Sequence, residues 1–298
     1  MNKARRAGSI LAVALSICAC MAISGCEDVG TTEVSLNPTV SDDALVSSET
    51  LTVGVDTSQP PFASIVTAEA EEDEASTNEI VGFDVDAASA LADELGLKLD
   101  VIDISDSTAE DALENGEVDV VMSASTTSTV GIEVFVGPYV DNSPAVFALE
   151  GTSSDSFDPE SLTDCTVGAY AGSVASTDAM QYCGTDNLVE YDSVEEMFQA
   201  LQDGEVDYVA ADMVSGGYVS TLYSGVECIG VLGSSNGCYM AVQESNSELS
   251  EALSGALETI DSNGVLDIVI SKWCGDTTVD FASPDIQSDD EESEGSEE

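Results

Sequence analysis

One phrase occurs twice in this chain, and no other feature restricts the fold as strongly. The letters ALENGEVDVV at 112–121 return as ALQDGEVDYV at 200–209. Each copy has the pattern of a helix end, a glycine directly after it and a short apolar strand. A helix-start signature of serine followed by glutamate precedes each copy, at Ser107 and at Ser193. Two matching units predict two similar α/β lobes rather than one large sheet, and a cleft between two lobes is a natural ligand site.

The charge balance excludes several classes of function. The chain has 59 acidic residues, five basic residues and no histidine, and its formal net charge is −54. Outside the N-terminal segment only Lys98 and Lys272 remain as bases. Such a surface repels nucleic acid and anionic lipid headgroups. Without histidine a Cys–His nucleophile is impossible, and no cysteine pair in the folded part has zinc-ligand spacing. We therefore predict no catalytic residue, no metal site, no cofactor and no nucleic-acid partner.

Residues 1–25 have the features of a secretion signal. A basic start is followed by an apolar stretch at 10–17 and then by small residues, which stand directly before Cys26. Small residues before a cysteine are typical of the site where a bacterial lipoprotein is cut and acylated. The apolar stretch is too diluted for a spanning helix, which usually needs ~20 apolar residues. We predict lipidation at Cys26, a tether over 26–49 and an extracytoplasmic protein anchored to the cell membrane.

Five cysteines remain in the folded part, and outside the cytoplasm we expect them to oxidise. Cys165 starts a predicted strand and Cys183 ends the helix after it, so a bridge between them is geometrically sensible. Cys228 and Cys238 flank a turn and could bridge each other across neighbouring strands. One of Cys228, Cys238 and Cys274 must be left over.

Apolar periodicity predicts further elements. Predicted strands are 51–55, 99–104, 135–139, 145–149, 165–170, 187–191 and 239–243, besides the repeat strands ending at 122 and 212. Predicted helices are 85–95, 176–182, 247–262 and 265–273. Residues 67–78 are predicted to form an acidic loop, and residues 276–298 a disordered acidic tail.

In open α/β sheets, ligands bind beyond the carboxyl ends of the strands. The candidate ligand-binding residues at these ends are Asp56, Phe62, Ser123, Ser125, Thr126, Thr127, Gly172, Ser173 and Asp212. The helix that begins near Ser173 presents free backbone N–H groups and a positive dipole end, which suit a carboxylate. Asp212 is a carboxylate at the exit of a buried strand and suits an ammonium group.

These candidates also have local explanations. Asp56 and Asp212 could each cap the next helix instead of binding a ligand. Phe62 and Phe83 could line an apolar wall of the cleft or fill the core under the loop. The hydroxyl-rich run 123–129 could bind the ligand or cap local backbone groups.

Short motifs follow one another from about residue 50 to 275. They are LTVGVD at 51–56, PPF at 60–62, GFDVD at 82–86, GEVD at 116–119, GPY at 137–139, GEVDYVAAD at 204–212 and KWCG at 272–275. In this order they resemble family 3 of the bacterial extracellular solute-binding proteins, the polar amino-acid receptors of ABC importers. The resemblance implies a periplasmic-binding-protein-like (type II) fold, in which two α/β domains joined by two crossing strands close on the ligand. Lobe 1 would comprise 50–145 plus 240–275, and lobe 2 would comprise 146–239.

The resemblance also implies residue roles. Asp212 would contact the α-ammonium group of the ligand. Backbone amides near Gly172 and Ser173 would take part of its carboxylate. Asp56 and Phe62 would lie beside its side chain.

Three positions depart from the family pattern. Gln59 stands where an aromatic residue is common before PPF, and the aromatic residue expected around 105–108 is absent. The family usually places an arginine after the Thr-rich strand end of the first lobe, where it clamps the α-carboxylate. Residues 126–133 of this chain contain no Arg or Lys. Loss of such a charge-assisted pair removes about 1.5–3 kcal/mol of binding free energy. A solute with net positive charge, or one without a carboxylate, fits better, and a neutral amino acid held by hydroxyls and helix amides is the alternative.

The predicted function is that of a lipid-anchored receptor. It would deliver a small polar or cationic amino-acid or amine solute to the permease subunits of an ABC importer, and it would not be an enzyme. One alternative is a surface sensor or adhesin that has kept the fold without a transport ligand. The other is a dehydratase, since some relatives of this fold act on cyclic amino-acid precursors, but only carboxylates are available here as general acid or base.

Overall fold

The computed structural model describes residues 38–68, 77–124, 133–152, 157–233 and 237–275, all within the compact unit Leu36–Glu298. Its strands are β1 (Thr50–Val55), β2 (Ser64–Ala68), β3 (Thr77–Val81), β4 (Lys98–Asp103), β5 (Val120–Ala124), β6 (Glu133–Asp141), β7 (Pro144–Leu149), β8 (Val167–Tyr170), β9 (Leu188–Tyr191), β10 (Tyr208–Asp212), β11 (Val226–Val231) and β12 (Gly237–Gln243). Its α-helices are α1 (Phe83–Leu95), α2 (Ala109–Glu114), α3 (Val174–Cys183), α4 (Val194–Asp203), α5 (Met213–Ser220), α6 (Ser247–Ser262) and α7 (Val265–Cys274). Short 3-10 helices lie at Asp42–Ala44 and Pro159–Leu162.

Three predicted features of the chain ends lie outside the described residues. They are the leader 1–25, the lipidation site Cys26 and the acidic tail 276–298. Of the helices described, none has both the length and the apolar character required to cross a membrane.

Two five-stranded sheets organise the fold. The first sheet has the order β4-β1-β5-β12-β6, the second has the order β11-β7-β10-β8-β9, and β2 and β3 form a separate pair. β1 runs parallel to β4 and β5, and β8 runs parallel to β9 and β10. β12 and β7 are antiparallel to their neighbours. This is the predicted two-lobed α/β fold of the type II solute-binding proteins.

Apolar side chains bury both faces of each sheet. In the first lobe, α1, α6 and α7 pack on one face and α2 on the other; in the second lobe, α4 and α5 cover one face and α3 the other. The largest apolar cluster contains residues of both lobes, including Leu91 on α1 and Phe198 on α4, which are fully buried. Burying a side chain of this size stabilises the fold by about 1.5–3 kcal/mol.

The chain passes between the sheets at two places, and a helix adds a third link. It leaves the first sheet after Asp141 and enters the second at Pro144, and it returns between β11 and β12. The last turn of α7 then contacts both lobes. The Trp273 Nε1–H donates to Asp86 on α1 (2.6 Å), and the Trp273 ring lies 6.1 Å from the Tyr218 ring on α5. Any relative movement of the lobes must therefore be accommodated at α7 as well as at the crossings.

The repeated phrase has the same structural role in both lobes. In the first copy, the Asp119 N–H donates to the Thr52 carbonyl (2.8 Å), and the Asp119 carboxylate accepts the Thr52 N–H (2.7 Å). In the second copy, the Asp207 N–H donates to the Thr166 carbonyl (2.8 Å), and the Asp207 carboxylate accepts the Thr166 N–H (2.8 Å). Each aspartate precedes its own strand and joins it to the start of the neighbouring parallel strand. We call this pair of hydrogen bonds the aspartate lock.

The helix-start signatures are confirmed in one copy and displaced in the other. The Ser193 hydroxyl caps α4 by accepting the Glu196 N–H (3.2 Å), as predicted. In the first copy Thr108, not Ser107, caps α2, because the Thr108 hydroxyl accepts the Asp111 N–H (3.1 Å). The neighbouring threonine therefore starts this helix one residue later than the sequence signature indicates.

Part of the segment assigned to the tether packs on the first lobe. The Ser41 N–H donates to Glu248 (2.7 Å), and Val40 is buried. The Val46 N–H donates to the Asp119 carboxylate (2.7 Å), and the Asn246 side chain donates to the Ala44 carbonyl (2.8 Å). We call residues 39–49 the N-terminal strap. Its partners lie at the amino-terminal ends of the parallel strands, so the strap is held at the edge opposite to the carboxyl ends.

Three elements were not predicted. β2 and β3 form a hairpin on the two sides of the acidic insertion. The acidic residues interrupt the alternation of apolar and polar residues by which strands are recognised in a sequence. α5 carries adjacent glycines, which disfavour a helix from sequence. The structure explains Gly216, because a Cβ there would lie 2.4 Å from the Phe147 ring. β11 was also missed, and it forms the edge of the second sheet next to β7.

All five cysteines among the described residues are free thiols. The expectation that Cys228 and Cys238 lie on neighbouring strands is wrong, because β11 pairs with β7 in the second sheet whereas β12 pairs with β5 and β6 in the first. Burial, and then the nearby Cys228 thiol, raise the pKa of Cys274 to about 12. Burial, and then the nearby Cys165 thiol, raise the pKa of Cys183.

Candidate functional site

Three carboxylates act electrostatically on one half-buried thiol where the lobes join. Cys238 lies in β12, and its pKa is raised by burial and then by the carboxylates of Asp84, Asp212 and Asp141. Asp84 comes from the start of α1 in the first lobe, Asp212 from the end of β10 in the second lobe, and Asp141 from the crossing. We call this group the acidic junction. It includes one predicted site residue, Asp212, and two acids that were not predicted to be site residues.

Asp212 has an unsatisfied carboxylate. It forms no cap on α5 and makes no hydrogen bond or ion pair within the described ranges. Burial raises the pKa of Asp212, and no other cause contributes. An ionised carboxylate that is largely removed from water and has no partner is unfavourable unless a cationic group joins it.

Another residue does the work of the helix cap that Asp212 could have supplied. The Asn142 side-chain oxygen accepts the Val214 N–H (3.0 Å), and the Ser143 carbonyl accepts the Met213 N–H (3.0 Å). These residues belong to the crossing between the sheets, so the N-terminus of α5 is satisfied from outside its own segment. Asp212 is therefore not needed as the cap of α5.

Asp84 and the aromatic residues form a packed layer rather than an open wall. The Tyr139 hydroxyl donates to the Asp84 carboxylate (2.7 Å), and both residues are buried. The Phe83 ring is fully buried, 6.3 Å from the Phe62 ring and 6.2 Å from the Tyr139 ring. Phe62 is 8% exposed. The core explanation therefore holds for Phe83, and Phe62 belongs mainly to the same layer.

Asp56 is used locally. Its Oδ1 atom accepts the Ser58 N–H (2.9 Å) and hydroxyl (2.6 Å), and its Oδ2 atom accepts the Gln59 side-chain amide (2.6 Å). The hydrogen bond from the Ser58 hydroxyl is the main reason why the pKa of Asp56 is lowered. This carboxylate shapes the loop after β1, and a ligand would have to compete with three existing donors.

The amino-terminal end of α3 is already occupied by a carboxylate of the chain itself. The Ser173 hydroxyl caps the helix by accepting the Ser176 N–H (3.0 Å). The Gly172 N–H, which the sequence analysis assigns to a ligand carboxylate, donates to Glu190 Oε1 (3.2 Å). The Ser176 hydroxyl donates to the same atom (3.0 Å). Glu190 reaches this helix end because it belongs to β9, which pairs with β8. No local sequence signal indicates that β8 and β9 are neighbours.

The hydroxyl-rich run is mostly beyond the described ranges. Ser123 lies in β5, and only its backbone is described. Ser125, Thr126 and Thr127 lie outside the described residues.

No basic side chain of the described residues is free to meet a ligand. Lys98 pairs with Glu49 (3.6 Å). Lys272 forms an ion pair with Asp86 on α1 and lies over the Trp273 ring. The same residues contain no group of three or more Asp, Glu, Cys or His side chains arranged to hold a metal ion. Neither lysine of the described residues therefore pairs with a carboxylate of the acidic junction.

A groove of about 480 Å³ lies elsewhere, between the N-terminal strap and the first lobe. Of its acidic residues, Asp119 and Glu248 already accept hydrogen bonds from the strap and from β1, and Asp43 belongs to the strap itself. Because the groove lies at the edge of the sheet opposite to the carboxyl ends of the parallel strands, we do not place the site there.

The chain is similar to known solute-binding proteins in sequence and in fold. The family model "Bacterial extracellular solute-binding proteins, family 3" matches residues 51–276. The chain is 27% identical over 237 residues to the putative ABC transporter arginine-binding protein 2 of Escherichia coli K12, covering 76% of this chain and 90% of that protein. It is 26% identical over 204 residues to the ABC transporter glutamine-binding protein GlnH of Bacillus subtilis 168, covering 66% and 74%. A crystal structure of a polar amino acid ABC uptake transporter substrate binding protein from Streptococcus thermophilus superposes with a TM-score of 0.66, at 19% identity, covering 81% of this chain and 90% of that one.

Proposed function

The chain belongs to family 3 of the bacterial extracellular solute-binding proteins, and on this premise we propose that it is the solute receptor of an ABC importer. It captures a small polar or cationic amino-acid or amine solute between its lobes and presents it to the permease subunits. The chemistry is non-covalent, and binding affinity comes from lobe closure around the solute.

The observation that carries this proposal is the Asp212 carboxylate, which has no hydrogen-bond or ion-pair partner among the described residues. It lies half-buried where the lobes join, its capping role is taken by Asn142, and Asp84 and Asp141 act with it on the Cys238 thiol. An ammonium or guanidinium group on the solute would neutralise it by a charge-assisted hydrogen bond. The E. coli relative is described as arginine-binding and the B. subtilis relative as glutamine-binding, which supports a solute of this size and polarity.

A thermal-shift screen of the purified protein against amino acids and amines tests the proposal. We expect a cationic compound to raise the melting temperature, because a ligand that binds only the folded state stabilises it. Asp212→Asn should abolish this shift without unfolding the protein. Asp186→Asn is the matched control, since Asp186 is exposed and precedes β9 at the amino-terminal edge of the second sheet. An unchanged shift in the Asp212→Asn variant would place the site elsewhere.

The alternatives have distinct outcomes in the same screen. Turnover of a bound compound would indicate an enzyme, and a complete lack of binding would favour the sensor or adhesin. The receptor is favoured over both because the Asp212 carboxylate, which has no partner among the described residues, is suited to binding a cation. An enzyme would need a general acid and a general base, and no such pair is identified at the junction.

We also propose that the protein is anchored outside the cytoplasm by a lipid on Cys26. The support is the sequence of the leader, with its basic start, apolar stretch and small residues before the cysteine. The N-terminal strap would then connect the anchor to the first lobe. Cells grown with labelled palmitate should incorporate the label into the wild-type chain and not into the Cys26→Ala variant.

We also propose that Cys165 and Cys183, which are free thiols in this structure, form a disulfide once the protein is outside the cytoplasm. Two points support the disulfide. The Cys165 thiol is close enough to raise the pKa of Cys183, and cysteines outside the cytoplasm tend to oxidise. Thiol titration of the protein purified without reductant should detect fewer free thiols than its cysteines supply. The Cys165→Ser variant should then expose one new thiol, at Cys183.

A further inference from the structure

We propose that the solute carries ammonium or guanidinium groups but no carboxylate, and that Glu190 enforces this choice. This inference rests on the proposed function, because it concerns the same site. It selects among the solutes that the family resemblance leaves open, and it adds a specificity-determining residue that the sequence analysis did not identify.

The first step is the absence of any positive partner for a solute carboxylate. The chain outside its N-terminal segment has two basic residues, and both are paired at other surfaces, Lys98 with Glu49 and Lys272 with Asp86. The charged side chains that act on Cys238 at the junction are the carboxylates of Asp84, Asp141 and Asp212. A solute carboxylate would lose its hydration there without gaining a basic partner.

The second step is the occupation of the site that could compensate for the missing cation. A helix N-terminus binds anions through its free N–H groups, and the α3 end lies at the carboxyl end of β8. Here Glu190 Oε1 accepts from the Gly172 N–H and from the Ser176 hydroxyl. Glu190 therefore acts as an internal carboxylate at the position where a solute carboxylate would bind.

The third step is the placement of Glu190 relative to Asp212. β8 lies between β9 and β10, and Ala169 of β8 pairs with Glu190 on one side and with Ala210 on the other. Asp212 follows Ala210 by two residues on the same strand, so the two acids flank the end of β8. A cation that contacts Asp212 is attracted by Glu190, whereas a carboxylate on the same molecule is repelled by it.

Calorimetric titration of the full chain with matched probe pairs tests this inference. The pairs are agmatine with L-arginine and cadaverine with L-lysine, which differ by one carboxylate. We expect the wild-type protein to bind the decarboxylated member of a pair about tenfold or more tightly. Glu190→Ala should reduce that ratio by improving binding of the amino acid, and Glu190→Gln should reduce it less, since its amide oxygen still accepts the Gly172 N–H.

The matched control is Glu205→Ala, which removes one exposed acidic group beyond the far end of α4 and should leave the ratio unchanged. Circular dichroism and melting curves establish that each variant folds. A purely structural role of Glu190 would change the melting temperature and leave the probe ratio unaffected, and that result would overturn the assignment of Glu190.

The remaining outcomes separate this inference from the proposed function. If L-arginine binds the wild-type protein as tightly as agmatine, and Asp212→Asn weakens both, the inference is wrong and the receptor stands. If none of the four probes binds at millimolar concentration, both the cationic-solute function and the inference fail.

Discussion

Asp212 illustrates a conflict between binding and stability within one side chain. Its carboxylate is half-buried and has no partner among the described residues, which is costly in the ligand-free protein. We predict that Asp212→Asn raises the melting temperature of the ligand-free protein at neutral pH while it removes binding of cationic probes. Asp186→Asn should change neither quantity. A lower melting temperature in the Asp212→Asn variant would mean that the carboxylate has a stabilising partner.

The pH dependence of this effect has a defined sign. Burial raises the pKa of Asp212 above its ordinary value of 3.8, so the folded protein holds this proton at a pH where the unfolded chain has lost it. The contribution of this protonated group to the free energy of unfolding is therefore complete below the ordinary pKa of 3.8, and it is lost as the pH rises through the pKa of the folded state. We predict that the stability advantage of Asp212→Asn over wild type, measured by urea unfolding, grows over that window and shrinks below it. An advantage that is constant with pH would contradict the assignment.

Individual site residues were predictable only where local sequence decides their surroundings. Asp212 follows a strand of the repeat, and this position alone indicated a ligand role. Asp56 has the same position after β1, but the Ser58 and Gln59 side chains satisfy it, and a strand-end pattern does not predict that competition. Glu190 could not be found from sequence, because its partners depend on the pairing of β8 with β9.

At the level of elements, we predict that removing the aspartate lock lowers the free energy of unfolding more in the first lobe than in the second. Asp119 is buried and holds both the Thr52 N–H and the Val46 N–H of the strap, whereas Asp207 holds only the Thr166 N–H near the surface. We predict that Asp119→Ala lowers the free energy of unfolding by about 2–4 kcal/mol, because unsatisfied buried donors cost about 1–3 kcal/mol each.

Asp207→Ala is the matched comparison for that measurement. Water can replace its carboxylate, so we expect a loss of about 1 kcal/mol or less in urea unfolding. Equal losses in the two variants would show that burial does not distinguish the two copies of the lock.

Elements with clear local signals were predicted, and those stabilised by distant contacts were not. The strands on both sides of the repeats and the helices of the C-terminal region follow apolar periodicity and capping signals. α5 has a weak helix signal because of Gly216 and Gly217, and it exists because close packing on Phe147 and a cap from Asn142 support it. The alternation of β2 and β3 is interrupted by the acidic insertion, so their pairing was not visible.

For the whole molecule, the proposed closure should be visible in solution scattering. The lobes are linked by two crossings and by the α7 contacts of Trp273. We predict that a saturating cationic probe, agmatine or L-arginine, reduces the radius of gyration of the wild-type protein, because the solute joins groups from both lobes. The Asp212→Asn variant should show no reduction, and Asp186→Asn should behave as wild type. A probe that binds without any change in size would contradict closure.

The net charge gives a second prediction for the whole molecule. With 59 acidic and five basic residues, the folded chain brings like charges together, and the described residues contain only two ion pairs to offset this. Raising NaCl from about 0.1 M to about 1 M shortens the screening length from about 10 Å to about 3 Å. The ligand-free melting temperature should therefore rise, by about 2–4 °C for each kcal/mol of repulsion removed. Sucrose, which is excluded from surfaces without screening charge, is the control. An equal rise of the melting temperature in sucrose and in salt would exclude self-repulsion as the cause. The same salt should weaken cation binding, because it also screens the attraction between the acidic protein and the solute.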